Sequence, residues 1–531
     1  MSDFKCNNLP WPHLHLASEA YLSRLNSMKP PIIFLFVMAM CLRASADVRL
    51  PQIFGGNMIL QQETSNAIWG FAEPGENVTV NASWGSKVSA VADKSGRWKV
   101  LLKTPGHGTG YHLTVQGKNT LTVRNVAIGE VWLCVGQSNM GWRLSAVFEG
   151  AEDAASANYP NFRIFRSKRK HSHEPQEDCI AKWTPCTPDS ASTCSAVSFY
   201  FARKLHQELG IPIGIVLQPY AGTPIEGWMP REIQMNDPRT RKYAEEMDEE
   251  SAAYDPTMAK KQLERAMQRW KLGERKGKPV LRTPKNWGHQ YPGNIFNGMI
   301  HPIMPYGIRG AIWYQGERNS KDVPQALNYR KQLALLINYY RSSWHELSGG
   351  NVAKDFPFYF TQLPSWHSAQ KKPVEGLEAS WTVNREMMRL VDSEVANTGM
   401  VVSIDTGDAI ALHPKNKKPI GIRHAYLALK QTYEKNITAY GPRFKKQSLQ
   451  GNQIVLEFDS FGKGLMAANP GKVNSFAIAG KDRKWHWAAS DIKGSTVVVS
   501  SAVVPNPTAV RYAWAMNPSQ RNLLYNMEGI P

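Results

Sequence analysis

The sequence predicts an α/β fold: a largely parallel sheet in the middle of the chain, flanked by two strand-only regions. Three observations carry this. In the middle of the 531 residues, short apolar runs alternate with helical patterns, as parallel strands joined by crossover helices do. On either side, hydrophobic residues recur at period two between turn residues, as half-buried strands do. Each central apolar run also ends abruptly on a polar or glycine-bearing motif, and in open α/β sheets chemistry collects beyond the carboxyl ends of the strands.

In chain order, residues 1–46 come first. Met28 and Lys29, the apolar run 32–42 and Ala44-Ser45-Ala46 match the three parts of a secretory signal. Translation is expected to start at Met28, and the mature chain to begin at Asp47 and be secreted or periplasmic. The run is too short to span a bilayer, so no stable membrane anchor is expected. Formal net charge is +19 and falls only to about +17 without residues 1–46. Such a balance steers polyanions towards the protein. No nucleic-acid-binding motif is recognisable, which leaves anionic glycans as partners, or solubility alone.

Residues 47–126 read as a β-sandwich domain. Val78/Val80, Trp98/Val100/Leu102, Leu113/Val115 and Leu121/Val123 alternate, with turns at Glu73–Glu76 and Asp93–Gly96. Residues 127–440 carry the candidate parallel strands 131–135, 213–217, 308–314, 358–360 and 400–404. Helical patterns intervene at 198–209, 327–344 and 381–390. Residues 236–286 form a charged, partly helical insertion, read as a solvated flap. Residues 441–531 repeat the strand grammar (Ile454/Leu456/Phe458, Phe476/Ile478, Val497/Val499) and read as a second β-domain. Beyond the signal, Cys134 falls inside a buried strand, and two of Cys179, Cys186 and Cys194 are candidates to pair in an oxidising compartment. No zinc-like Cys/His spacing occurs, so no metal is expected.

The motifs after the strands are unusual as a set. Gly136-Gln137-Ser138-Asn139 follows the first, and Ala221-Gly222-Thr223, with Glu226 and Trp228, follows the second. Gln315-Gly316-Glu317-Arg318-Asn319 follows the third, and Asp405, Asp408 and His413-Pro414 follow the last. Acyl transfer needs a nucleophile, a base and preplaced oxyanion donors. Ser138 is the candidate nucleophile; a serine hydroxyl needs a base, and histidine is the usual one, here His413. The oxyanion donors would be the backbone N–H groups of Ser138 and Gly222, with a side-chain amide from Gln315 or Asn319. Plainer readings exist for each: Ser138 as a helix N-cap, Glu317 as a buried loop anchor, Trp228 as a core residue.

Met140 stands where the Gly-x-Ser-x-Gly elbow has its second glycine, which disfavours an ordinary α/β-hydrolase. The motif instead resembles the SGNH hydrolase superfamily and, within it, the sialate O-acetylesterase family. The Gly-Gln-Ser-Asn-Met signature stands at 136–140 and Trp-Tyr-Gln-Gly-Glu at 313–317. His-Pro at 413–414 is followed by Lys417, Gly421 and Arg423, and further landmarks lie at 47–51, 297–302 and 510–514. The resemblance implies a flavodoxin-like three-layer SGNH domain with accessory β-sandwich-like domains. It also implies removal of O-acetyl groups from sugars (sialic acid or polysaccharide) without metal or other cofactor. Gln137, Glu317 and Trp228 are then expected at the substrate.

Three positions depart from the family pattern. Ala221 replaces a glycine, so only Gly222 inherits the oxyanion role, and Arg318 stands where a small residue is usual. Ile410 occupies the acid position three residues before the histidine. Asp408 is the nearest substitute and Asp405 the next; a Ser–His dyad with a carbonyl orienting the ring is the third option. The missing acid also leaves room for a reading from another class, a non-catalytic glycan-binding protein on a hydrolase scaffold.

Overall fold

The computed structural model describes residues 47–531, so the expected signal and the start at Met28 lie outside the described residues. Six strands come first: β1 (Ile59–Gln61), β2 (Ser65–Phe71), β3 (Asn77–Ala82), β4 (Lys87–Val91), β5 (Arg97–Lys103) and β6 (Gly108–Gln116). β3 and β5 bury alternate residues; in β5, Trp98, Val100 and Leu102 point inward between exposed neighbours.

The next strand, β7 (Thr120–Gly136), joins this region to the central sheet. Its first half pairs with β6 and β1, its second half with the central strands. The change is written in its sequence. Residues 120–125 are mostly half-buried or exposed, whereas Val126–Gly136 is buried throughout, as a strand covered on both faces must be.

The central sheet continues with β8 (Tyr159–Arg166), β9 (Trp183–Cys186), β10 (Ile213–Pro219), β11 (Gly310–Tyr314), β12 (Phe358–Thr361) and β13 (Thr398–Val401). Its order is β13-β12-β11-β7-β10-β8-β9. All neighbours are parallel except β8 and β9. Strands β10-β7-β11-β12-β13, counted along the chain, stand in the flavodoxin-like order 2-1-3-4-5. β8 and β9 extend the β10 edge. They escape sequence reading because Tyr-Pro-Asn-Phe-Arg-Ile-Phe-Arg mixes polar and apolar residues without strict alternation.

Helices cover both faces. Trp132 and Cys134 of β7 pack with α2 (Ala196–Leu209) and α7 (Lys418–Leu427), while Val131, Leu133 and Val135 face a second core shared with α5 (Val323–Leu347) and α6 (Ser380–Glu394). The short α1 (Ser138–Gly141) follows β7. The insertion holds α3 (Pro238–Ala252) and α4 (Pro256–Lys271), each capped by an aspartate, Asp237 and Asp255, with proline at the first helical position.

The C-terminal region is antiparallel. Arg443–Gln450, Gln453–Asp459, Thr496–Ser500 and Ala489–Lys493 form one sheet. Trp485–Trp487, Phe476–Ala479 and Ala509–Tyr512 form another. Cys134, Cys179, Cys186 and Cys194 are all buried free thiols, so the pairing considered for the last three does not occur here. Among the described residues no helix is long and apolar enough to cross a membrane.

Candidate active site

β7 and β11 are the strands between which the sheet order reverses, and ligands gather outside such switch points. Gly136, the last residue of β7, has φ +149°. A Cβ there would lie 2.2 Å from the Tyr314 carbonyl oxygen, so only glycine lets the two strand ends stay in register. The Gln137 N–H donates to that same carbonyl (3.0 Å), and the chain turns into α1 with Ser138 as its first residue.

His413 comes from the long loop after β13, and its Nε2 lies 2.8 Å from Ser138 Oγ across 275 residues of chain. The imidazole is stacked on Trp142, with ring centroids 4.4 Å apart and planes 13° apart. Burial first, and then the Lys417 charge, hold its pKa below the ordinary imidazole value, which keeps the ring neutral and able to accept a proton.

Neither expected acid reaches the ring. Asp408 is exposed, and its Oδ1 accepts the N–H groups of Ile410 (2.7 Å) and Ala411 (2.8 Å), closing its own turn. Those bonds also lower its pKa. Asp405 is held by Arg423 (2.8 and 2.6 Å) and by the Tyr525 hydroxyl (2.8 Å). Ile410, in the family's acid position, is 92% exposed. Among the described residues no carboxylate and no carbonyl is hydrogen bonded to His413, so the Trp142 face, not an acceptor, orients the ring.

Gly222 lies beyond β10 in a left-handed conformation (φ +72°), and a Cβ there would meet nothing, so the requirement for glycine is conformational. The loop is tied to β7 by the Tyr220 N–H, which donates to the Gly136 carbonyl (2.9 Å). Among the described residues the N–H groups of Ser138 and Gly222 have no acceptor; for Ser138 this follows from its place in the first helical turn.

The side-chain amides expected to join them are engaged elsewhere. Gln315 is fully buried: its Nε2 donates to the Thr223 carbonyl (3.1 Å) and Asn319 Oδ1 (2.8 Å), and its Oε1 accepts from Tyr329 (2.7 Å). Asn319 donates to Glu226 (2.8 Å) and accepts the Ile225 N–H (2.9 Å). Both brace the Gly222 turn from beneath. Trp228, expected at the substrate, is a core residue instead: it is 0% exposed, donates to Thr223 Oγ1 (2.9 Å) and meets Trp313 edge-on. Gln137 is also buried and accepts the Arg318 N–H at 3.4 Å.

Glu317 is buried as well, accepting a hydrogen bond from Asn139 Nδ2. Burial raises its pKa, and its second oxygen has no partner. Asn139 Oδ1 accepts in turn from the buried Lys417 ammonium. Sequence reasoning assigned no role to Asn139, Lys417 or Trp142, although all three flank or lie within quoted motifs.

The outer rim is cationic. Arg318 donates to Gln290 (2.8 Å), whose own amide reaches the Gly222 carbonyl (3.5 Å). Tyr220 stacks on His289 and shares a 3.0 Å hydrogen bond with His171, with Arg169 above its ring. Among the described residues Arg169 and Arg318 have no acidic partner within ion-pair distance, and no cluster of His, Cys, Asp or Glu is arranged to hold a metal.

No family model matches the chain. Among curated proteins, mouse sialate O-acetylesterase is 28% identical over 522 residues, covering 92% of this chain and 93% of its own length. The human sialate O-acetylesterase is 26% identical over 513 residues, covering 90% and 89%. Among solved structures, a carbohydrate acetylesterase from Xanthomonas citri is 32% identical, covers 91% of this chain and 98% of its own, and superposes with a TM-score of 0.75.

Proposed function

The chain belongs to the sialate O-acetylesterase family and is a carboxylic ester hydrolase, and from that premise we propose that it works through a Ser138–His413 dyad. The observation that carries the proposal is the 2.8 Å contact between the two side chains beside two unengaged N–H groups. As Ser138 Oγ bonds to the acetyl carbon, its proton passes to His413 Nε2. The tetrahedral oxyanion is met by the N–H groups of Ser138 and Gly222, already in place; one such donor is typically worth about 3 kcal/mol of barrier. Collapse breaks the bond to the sugar oxygen, which takes the proton from His413, and leaves acetyl-Ser138. Water, deprotonated by His413, then releases acetate and restores the serine.

The substrate is an O-acetylated sugar, sialic acid or a polysaccharide unit. Arg169 and Arg318 beside the Gly222 turn, neither in an ion pair among the described residues, together with the +19 charge, support a glycan bearing negative charge. We read 127–440 as the SGNH domain and 47–126 and 441–531 as accessory β-sandwich-like domains. Residues 1–46 we read as a signal for secretion or the periplasm.

A chromogenic acetyl ester and a serine-directed phosphonate test the mechanism together. Ser138→Ala is expected to lose at least 1,000-fold in kcat and all phosphonate labelling. Full activity in that variant would overturn the dyad. Acetate release from neutral and acidic acetylated glycans, compared at low and high salt, tests the anionic preference.

A further inference from the structure

Three segments that build the rim meet at one buried side chain. Asn139 follows Ser138 in the chain, and its Nδ2 donates both to Glu317 on the turn after β11 and to the carbonyl of Leu412, the residue before His413. Its Oδ1 accepts from Lys417, on the same loop as His413. Both ends of the amide are thus pinned, one by a cation and one by an anion, and all three side chains are withdrawn from solvent. Lys417 also lies 5.1 Å from the centre of the Tyr314 ring, which fixes the ammonium against the end of β11. Charge-assisted bonds of this kind hold geometry more firmly than neutral ones.

On the reading of Ser138 and His413 given above, we propose that the buried Lys417–Asn139–Glu317 bridge is the positioning device of this site. It does the registering work that a carboxylate on the imidazole does in a triad. It sets the distance from Ser138 to His413 by tying the nucleophile's turn to both sides of the histidine loop. None of the three touches substrate; each acts through Ser138 or His413.

The bridge also fixes the field at the ring. The charged groups on the elements around the imidazole are Lys417, Lys415, Asp408 and Asp405 on its own loop, the last paired with Arg423, then Glu317 across Asn139, and Arg143 beside Trp142. Of these, the buried Lys417 disfavours the imidazolium and supports the neutral base. Activity falls as pH drops through the His413 pKa, so the acid limb of kcat/KM is expected below pH 6.5 in the native chain.

Two variants test the bridge, with Ser138→Ala run beside them as the control on the dyad itself. Asn139→Ala is expected to lower kcat about 100-fold, the scale of an ångström-level misplacement, with KM changed less than threefold and Ser138 still labelled, slowly but stoichiometrically. Lys417→Met combined with Glu317→Gln removes both buried charges, leaving no lone ion to unfold the site, and is expected to move the acid limb to higher pH. A kcat within threefold of native for Asn139→Ala overturns the proposal. So does an acid limb that stays in place while the rate falls evenly at every pH, which marks a merely structural role. Retained activity in Ser138→Ala sinks the dyad instead, a result that neither bridge variant mimics.

Discussion

At the scale of single residues, the unusual feature is an imidazole oriented by a ring face rather than by an acid. A hydrogen-bonded carboxylate fixes the tautomer and stabilises the imidazolium, and replacing it by an amide in a serine–histidine–aspartate triad costs about 10⁴-fold. Asp408 holds two backbone N–H groups of its own turn instead. Asp408→Asn keeps an oxygen that accepts the same bonds, so its kcat is expected to stay within about threefold of native; a loss of a thousandfold or more in the ester assay would make Asp408 the acid after all. That Ser138 and His413 come together was legible because each stands in a short contiguous motif. Gln315 and Trp228 were not read correctly, because a motif does not say which way a side chain turns. Both follow strand ends, and both turn inward to brace the Gly222 loop. Asn139 was legible only as a letter of the signature, since its partners come from residues 317 and 417, distant in sequence.

At the scale of elements, the strands after which function was expected were the easiest to read, because double-sided burial leaves unbroken apolar runs in β7, β10, β11 and β12. The last was read too far: β13 ends at Val401 where 404 was expected, since Val402 and Ser403 leave the ladder to begin the loop that carries His413. Helices were found from their apolar periodicity but started late, as in α5, where Asp322 caps and Pro324 opens the first turn ahead of the periodic stretch. The tightest constraint lies where β7 meets β11. Gly136→Ala would drive a methyl group against a backbone oxygen that neither strand can yield without losing register. A destabilisation of about 3 kcal/mol or more is expected, read as a lowered denaturant midpoint. A midpoint unchanged from native would mean that the two strand ends are not locked together as described.

At the scale of the whole described chain, the histidine loop is held from two directions, and the second comes from beyond residue 441. Arg385 of α6, buried without a carboxylate, donates to the carbonyls of Leu363, Pro364, Ala515 and Met516, and the Trp366 N–H donates to Met516 as well. The Tyr525 hydroxyl donates to Asp405. Asp405 is paired with Arg423 of α7, so one carboxylate gathers the start of the histidine loop, a helix of the three-layer region and the C-terminal strands. Packing along this seam is incomplete: a cavity of about 680 Å³ is lined by Arg385, Arg423, Arg443, Phe444 and Trp514 among others. Hydrogen bonds and ion pairs therefore carry much of the alignment there, and their loss should register in activity as well as in stability. Arg423→Met would strand Asp405, largely buried, with a single hydroxyl, and removing one partner of a buried pair typically costs about 3–5 kcal/mol. Tyr525→Phe leaves the ion pair whole and removes one charge-assisted bond, about 1.5–3 kcal/mol. Thermal midpoints should fall in that order, and kcat should drop in both variants, because the loop bearing His413 starts at the residue both partners hold. If Tyr525→Phe lowers the midpoint but leaves kcat native, the C-terminal strands stabilise the chain without aligning the dyad.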